Sequence, residues 1–373
     1  MHPTLPAAPS LPGEHLAAGF GDVTNAYKFY WLLAILTELQ ASAGATMPIS
    51  RLLAQMVAAA WAPAVIFRLH FGKQDRLGDL ATALQRAHGL PVVPRPHAII
   101  AAAEQEMQDN TPLGQTLRSL QQYVPYRFLR PCFAAPLRGV KDWQVNGRIR
   151  HLAAHAFAAA DAPCLYRFVG DGEPHSIELH PAWAAYLQHN LAIVTGYARW
   201  HLTTYLQRNN PNAPNIAGKL AAPGQRVLRD ARRFWQIVQD AHGPLRCLYS
   251  GEILGAAASL DHFLPWRFVA HDLLWNLAPA ARRVNSAKND QLPDFARYFE
   301  PFATLYYGAV QAVAAQGKAA LLEDYVLLFK SASLDDLRAL PYAAFRRGLE
   351  ETLAPQFQIA RSLGFGDGWS YTP

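Results

Sequence analysis

Apolar side chains recur every three or four positions along most of this chain, which is the spacing of one buried face of an α-helix. In the first third, this spacing predicts helices over residues 27–40, 49–60, 77–88 and 97–108. Residues 1–20 are rich in proline and show no such period, so we expect them to form a loose arm.

The pattern changes once before it returns to helix. Two short extended runs, 165–168 and 176–179, flank a Gly-Asp-Gly turn and predict a β-hairpin. A long helix is predicted over 182–207, ending before an Asn- and Pro-rich loop at 209–215. Further helices are predicted over residues 225–241, 295–315, 318–329, 334–340 and 342–363.

Composition indicates a folded protein with a basic surface. Of the 373 residues, 51% are hydrophobic and 17% charged, which argues against extended disorder. The net charge of +6 favours an anionic partner. Residues 199–233 contain seven basic residues against Asp230 alone, and residues 127–150 contain six against Asp142 alone. Each stretch is either a phosphate-binding surface or an ordinary solvated face.

Targeting signals are not evident. Three cysteines imply no disulfide framework and are compatible with a reducing cytoplasm. The first residues do not read as a signal peptide, and the apolar run 29–36 is far too short to span a bilayer. We therefore expect a cytoplasmic protein without a membrane partner.

The chemistry-bearing residues lie between Cys247 and Asp290. An adjacent Asp261-His262 pair is followed by Asn276, Asn285 and Lys288. A histidine, with an ordinary pKa near 6.5, can accept a proton from water at neutral pH. Carboxylate and amide oxygens suit a hard cation such as Mg²⁺. Residues of these types indicate metal-assisted hydrolysis.

The spacing of these residues resembles that of the HNH, or ββα-metal, nucleases, and particularly the HNH domain of RNA-guided CRISPR effector nucleases. The pattern is Asp-His-x-x-Pro, then Asn, then Asn-x-x-Lys, with Asn276, Asn285 and Lys288 following His262 by 14, 23 and 26 positions. The resemblance covers about 45 of 373 residues.

The resemblance implies a role for each residue. Asp261 and Asn285 would ligate a single Mg²⁺ or Mn²⁺, and His262 would be the general base. Asn276 would brace the loop between the two strands, and Lys288 would contact a phosphate or stabilise transition-state charge. Paired cysteines that bind zinc in many such modules are missing, since Ser250 stands where the partner of Cys247 would be. We expect no structural zinc.

The resulting architecture is mainly α with a small α+β insert. It comprises the arm at 1–20, a mostly helical region at 21–240 with a hairpin near 165–179, a ββα-metal module at 241–295, and a helical region at 296–373. Residues expected to bind nucleic acid are Arg226, Arg229, Arg232, Arg233, Arg282 and Arg283. The pair His271-Asp272 is interpreted as a helix start or loop feature, with a substrate contact as the alternative.

The predicted function is an endonuclease that hydrolyses phosphodiester bonds in DNA. Because no DNA-reading motif is recognisable, we hypothesise a restriction or anti-phage role controlled by a regulatory or defence-system protein partner. Two alternatives stay open: a nuclease acting on RNA or structured nucleic acid, and a non-catalytic nucleic-acid-binding regulatory protein. The oligomeric state is not predicted.

Overall fold

The computed structural model describes residues 4–8, 10–21, 23–41, 44–159, 161, 163–224, 226, 228–255 and 258–373. The chain folds into two compact units. Unit 1 extends to Pro211 and includes Ile216–Ala222, and unit 2 comprises Asn212–Asn215 and Pro223–Pro373. Helices dominate both units and the sheets are small, so the predicted fold class is confirmed. The predicted module and C-terminal region lie together in unit 2, and the boundaries at 240 and 295 stay a prediction.

Unit 1 is built around two helices that are apolar on most sides. Helix α3 packs against α2 and α5, and α2 also contacts α10. A helix that is apolar all round must be covered by its neighbours, which explains why these two lie at the centre. The helices of unit 1 are α1 Gly13–Ala18, α2 Tyr27–Ala41, α3 Ile49–Trp61, α4 Leu77–His88, α5 Pro96–Gln108, α6 Pro112–Ser119, α7 Val124–Leu129, α8 Asp142–Phe157, α9 Pro181–His189 and α10 Leu191–Asn209.

The predicted hairpin forms, and a third strand joins it. Strands β1 (Thr46–Pro48), β2 (Tyr166–Val169) and β3 (Ser176–Leu179) make an antiparallel sheet in the order β1-β3-β2. Strand β1 has three residues directly before α3, too few to show the alternation that identifies a strand in sequence. It is held by pairing with β3, a long-range contact.

Two predictions for unit 1 are wrong in part. The expected loose arm contains helix α1, and its Leu11, Leu16 and Phe20 are buried, with the Phe20 ring stacked on Phe29 at 5.4 Å. Because prolines interrupt the apolar periodicity of this segment, the burial of these three residues was not predicted. The single helix predicted over 182–207 is broken at Asn190, where the backbone leaves helical geometry between α9 and α10.

One apolar stretch of unit 1 meets the length and hydropathy of a membrane span. It is Ile49–Ile66, which comprises α3 and the π-helical turn Ala62–Ile66, and no other such stretch occurs among the described residues. Two thirds of it, 67%, is buried inside the structure. A core helix of a folded domain has these properties, so the stretch is explained by packing.

Unit 2 combines a two-stranded sheet with seven described helices. Strands β4 (Ser259–His262) and β5 (Leu277–Ala280) pair antiparallel, with Asp261 opposite Ala278. The helices are α11 Arg229–His242, α12 Trp266–Val269, α13 Arg282–Lys288, α14 Phe295–Ala315, α15 Glu323–Phe329, α16 Leu334–Ala339 and α17 Tyr342–Ser362.

The basic helix of unit 2 is shorter than predicted. It begins at Arg229, and Gln225, the predicted first residue, lies outside the described residues. Arg226 therefore precedes the helix. The helix predicted over 318–329 is also divided, into a 3-10 turn at Ala319–Leu321 followed by α15.

The sheet of unit 2 is anchored to the C-terminal helices by aromatic packing. Phe263, directly after β4, is fully buried and stacks on Phe302 of α14 at 4.2 Å between ring centroids. Its ring also lies 5.5 Å from that of Phe357 on α17. Because Phe263 follows His262, this packing fixes the end of the strand that carries the Asp-His pair.

We predict that Phe263→Ala lowers the free energy of unfolding of unit 2 by about 3–5 kcal/mol, since it removes a fully buried ring and leaves a cavity. Chemical denaturation followed by tryptophan fluorescence measures the change. The control is Leu327→Ala, because this side chain is 72% exposed and its loss should cost less than about 0.5 kcal/mol. Equal losses in both variants would contradict the anchoring role.

Candidate active site

Strand β4, strand β5 and helix α13 bring the predicted site residues of unit 2 together. The antiparallel pairing of β4 with β5 places α13, which follows β5 after one residue, against β4. Asn285 and Lys288 are three positions apart on α13 and so share one face of the helix. That face contacts the strand that carries Asp261 and His262.

Asp261 is buried and its carboxylate is bound by two donors. The Tyr249 hydroxyl donates to Oδ2 of Asp261 at 2.5 Å, and Lys288 Nζ lies 3.0 Å from the same oxygen. Burial, and then the negative charge of Asp261, raises the pKa of Tyr249 well above its usual value. Tyr249 therefore keeps its proton and remains a donor at all physiological pH values.

Lys288 is fully buried and has two partners in the protein. Besides pairing with Asp261, its ammonium donates to the backbone carbonyl of His262 at 2.7 Å. The predicted contact between Lys288 and a phosphate does not agree with this placement, because a side chain with no exposed surface cannot reach one. Lys288 instead connects α13 to both residues of the Asp-His pair.

The His262 imidazole lies between a carboxylate and a guanidinium. Its Nε2 is 2.9 Å from Oδ1 of Asp272, and its Nδ1 is 3.4 Å from a terminal nitrogen of Arg226. That Arg226 nitrogen is also 4.0 Å from Asp272. A carboxylate only accepts, so Nε2 carries the proton in this pair and Nδ1 has the lone pair. Asp272 thus sets the tautomer and the orientation of the ring.

Asp272 and Tyr249 were not predicted as site residues. Asp272 lies ten positions after His262, in the loop between β4 and β5. In the sequence it was interpreted, together with its neighbour His271, as a helix start or loop feature. A polar residue inside that loop was the available signal, but spacing alone does not show that the loop folds back onto His262. Tyr249 precedes β4 and reaches Asp261 only through tertiary folding.

Asn276 closes the loop between the two strands. It is fully buried, its Oδ1 accepts from the Leu264 backbone N–H at 2.7 Å, and its Nδ2 donates to the Leu264 carbonyl at 2.9 Å. Its own carbonyl accepts from the N–H of Phe263 at 2.9 Å. These bonds hold the residues directly after His262, which is the position at which a bracing role was predicted.

Asn285 lies against β4 at the residues before Asp261. Its Nδ2 donates to the Ser259 hydroxyl at 3.2 Å and to the Leu260 carbonyl at 3.3 Å. Among the described residues, none donates a hydrogen bond to Oδ1 of Asn285 or to Oδ1 of Asp261. Both predicted ligands thus offer an oxygen of the type that a hard divalent cation prefers.

Two protein oxygens would supply only part of the coordination of a divalent cation. The described residues contain no group of three or more His, Cys, Asp or Glu side chains placed to hold a metal. Mg²⁺ commonly binds through one or two protein oxygens, with water and phosphate oxygens completing its shell. Cys247 is buried in the hydrophobic core of unit 2, and the expectation of no structural zinc stays a prediction.

The predicted nucleic-acid-binding arginines differ in their surroundings. Those on α11 and α13 are exposed, although Arg229 pairs with Asp230 at 3.2 Å, and Arg283 pairs with Glu252 and with the Tyr371 hydroxyl. Arg226 differs because it contacts the imidazole of His262 while its own side chain is 44% exposed. It therefore connects the buried part of the site to the surface.

Comparison with known proteins identifies this part of the chain. Residues 247–294 match the model of a family described as HNH endonuclease. The matched segment contains β4, β5, α13 and the residues predicted to act in catalysis, and the match supports the predicted resemblance to the HNH family. The match does not show the closer resemblance to the HNH domain of CRISPR effector nucleases that the motif spacing predicts. No curated protein and no solved structure matches the chain.

We predict that Lys288→Met destabilises unit 2 by about 3–5 kcal/mol, because it leaves the buried Asp261 carboxylate without its cation. The free energy of unfolding, from urea denaturation, measures this. Arg282→Met is the matched control on the same helix, since Arg282 is exposed, and it should cost less than about 0.5 kcal/mol. A Lys288→Met protein of wild-type stability with weakened DNA binding would support a phosphate contact instead.

Proposed function

We propose that this protein is a metal-dependent endonuclease that hydrolyses phosphodiester bonds in DNA, with His262 as the general base. The observation that carries the proposal is the imidazole of His262, oriented by Asp272 inside a segment of the HNH endonuclease family. Nucleases of this family generally use a divalent metal. Hydrolysis of DNA in particular rests on the resemblance of the motif spacing and on the exposed arginines.

The general base follows from the hydrogen bonds of the imidazole. With its Nε2–H donated to Asp272, His262 has a lone pair on Nδ1, which would accept a proton from an attacking water once Arg226 turns from Nδ1 to the phosphate. The carboxylate of Asp272 also stabilises the imidazolium that forms when the proton is transferred. In this scheme Asp272 is a positioning residue, because it acts through His262.

Asp261 and Asn285 would hold the divalent ion through the oxygens that receive no hydrogen bond from the protein. When bound, Mg²⁺ or Mn²⁺ would neutralise charge that develops on the phosphate and on the leaving oxygen. Lys288 and Tyr249 fix Asp261 from its other oxygen, so the carboxylate is oriented before any ligand arrives. A preorganised ligand loses less conformational entropy on binding.

Arg226 would contact the phosphate at the site. One of its terminal nitrogens lies 3.4 Å from Nδ1 of His262, and its side chain is 44% exposed. The guanidinium would therefore reach an anion that enters from solvent. Exposed arginines of α11, namely Arg229, Arg232 and Arg233, would contact neighbouring phosphates, and Arg282 and Arg283 would do so from α13. The pairing of Arg283 with Glu252 would have to open for that.

The biological setting is part of the same proposal. A cytoplasmic location agrees with the three cysteines, which are all free. The matched segment is a small part of the chain, so most of the protein is available to control the nuclease or to bind a regulatory or defence-system protein. A restriction or anti-phage role would require such control, because an unrestrained nuclease damages its host.

We predict that His262→Ala reduces plasmid cleavage by roughly a hundredfold or more, the usual contribution of a general base, while DNA binding is retained. Cleavage is measured on supercoiled plasmid with Mg²⁺, Mn²⁺ or EDTA, beside single-stranded DNA and RNA of the same sequence. EDTA should abolish cleavage. His242→Ala, an exposed histidine of unit 2, is the control. Equal cutting by both variants would remove His262 from the mechanism, and preferential cutting of RNA would replace the proposed substrate.

We also predict that Asp272→Asn lowers kcat by roughly tenfold to a hundredfold with little change in KM, because the amide can donate to Nε2 and so favour the wrong tautomer. Steady-state cleavage of a labelled duplex separates the two constants, and thermal unfolding reports on the fold. Asp240→Asn, exposed on α11, is the control. A loss of kcat that only follows a loss of thermal stability would indicate a structural role instead.

A further inference from the structure

Unit 1 contains a cavity that the nuclease does not use. Its volume is about 480 Å³, and it lies between the start of α2 and the turn that joins α6 to α7. Cavities that bind small organic ligands in proteins are of this size. The cavity is formed by residues of unit 1 alone, so it is complete without the HNH segment.

Positive charge dominates the wall of this cavity. Lys28, Arg76, Arg127 and Arg130 all line it, and none of its described lining residues is acidic. Arg127 also pairs with a carboxylate outside the lining, because the exposed side chain of Asp142 accepts from one of its terminal nitrogens at 2.8 Å. A concave surface lined by cations attracts anions.

The carboxylate of Asp75, also close to this wall, is already occupied. It is buried, and its two oxygens accept from the backbone N–H groups of Ala26 at 2.6 Å and Leu77 at 2.8 Å. Asp75 therefore holds the chain ends of α2 and α4 in place and does not pair with the cations of the cavity through these bonds. Its negative charge remains, and it offsets part of the positive charge of the wall.

The arginines of the wall suit a phosphate ester. Arg76, Arg127 and Arg130 all line the cavity, and Arg76 and Arg130 are exposed. A planar guanidinium can donate two parallel hydrogen bonds to phosphate oxygens. Arg127 and Arg130 belong to the second basic stretch recognised in the sequence.

Aromatic rings on the same wall indicate what the phosphate is attached to. Tyr123 lines the cavity and is 53% exposed, and Tyr27 lines it beside Thr24 and Asn25. An exposed tyrosine ring can stack on a planar ring, and hydroxyl and amide groups can bind its polar edge. From the cations, the rings and the volume, we propose that this cavity binds a nucleotide, that is, a small phosphate ester that carries a planar base.

The same phosphate chemistry could come from a free nucleotide or from an oligonucleotide, and the proposal commits to the free nucleotide. Isothermal titration calorimetry on the full chain tests it with ATP, GTP, AMP, adenosine, inorganic phosphate, and a twelve-residue single-stranded DNA. At least one of the three nucleotides should bind with a Kd in the micromolar range, and adenosine should show no binding. Inorganic phosphate should bind more weakly than the nucleotide by tenfold or more.

Variants of exposed residues keep the test independent of folding. The pair Arg76→Gln and Arg130→Gln should weaken nucleotide binding at least tenfold, because both side chains are exposed and line the cavity. The matched control is the pair Arg86→Gln and Arg95→Gln, which removes the same charge from exposed positions of unit 1 outside the cavity. Tyr123→Ala should weaken the nucleotide but leave inorganic phosphate unchanged.

Three results would overturn the proposal: no heat from any nucleotide at millimolar concentration, equal weakening by the control pair, or tighter binding of the oligonucleotide that depends on Arg76 and Arg130. The last result would assign the cavity to the backbone of a nucleic acid. None of these results bears on the nuclease, since the variants leave unit 2 unaltered. Cleavage assays with His262→Ala therefore succeed or fail separately.

Discussion

The buried ion pair between Lys288 and Asp261 is the interaction on which the rest of the site depends. Lys288 reaches from helix α13 to strand β4 and binds the carboxylate of one residue and the backbone carbonyl of the next. Charges without exposed surface are stable only when paired and hydrogen-bonded, and Tyr249 supplies the further donor to Asp261. The helix, the strand and the Asp-His pair are thereby joined in one arrangement.

This arrangement separates two tasks within the site. The oxygen of Asp261 that Lys288 and Tyr249 bind fixes the carboxylate, while its other oxygen receives no hydrogen bond from the described residues. On the neighbouring residue, Asp272 holds one nitrogen of His262, while the other lies 3.4 Å from a terminal nitrogen of Arg226. The chemical groups are thus oriented before any substrate binds, the preorganisation that efficient catalysis requires.

The two units concentrate positive charge in different ways. In unit 2, exposed arginines lie on α11 and α13 and Arg226 contacts His262, and we propose that they bind a long polyanion. In unit 1, cations line a cavity of limited volume, which suits a small anion. If the cavity binds a nucleotide as proposed, the protein combines the proposed nuclease with a separate recognition site.

Much of the helical architecture and the identity of the chemical residues could be predicted from the sequence. Helix α14 begins and ends at the predicted residues, because its apolar period is unbroken over 21 residues and depends only on local spacing. The pattern around His262 was likewise legible, since the HNH motif is a set of local offsets. Only the tertiary structure decided that Lys288 is buried, that Asp272 reaches His262, and that strand β1 joins the hairpin. These features depend on contacts between segments that are far apart in the sequence or that fold back on themselves. Periodicity and spacing are local properties of the chain, so they do not specify which polar side chains will come into contact.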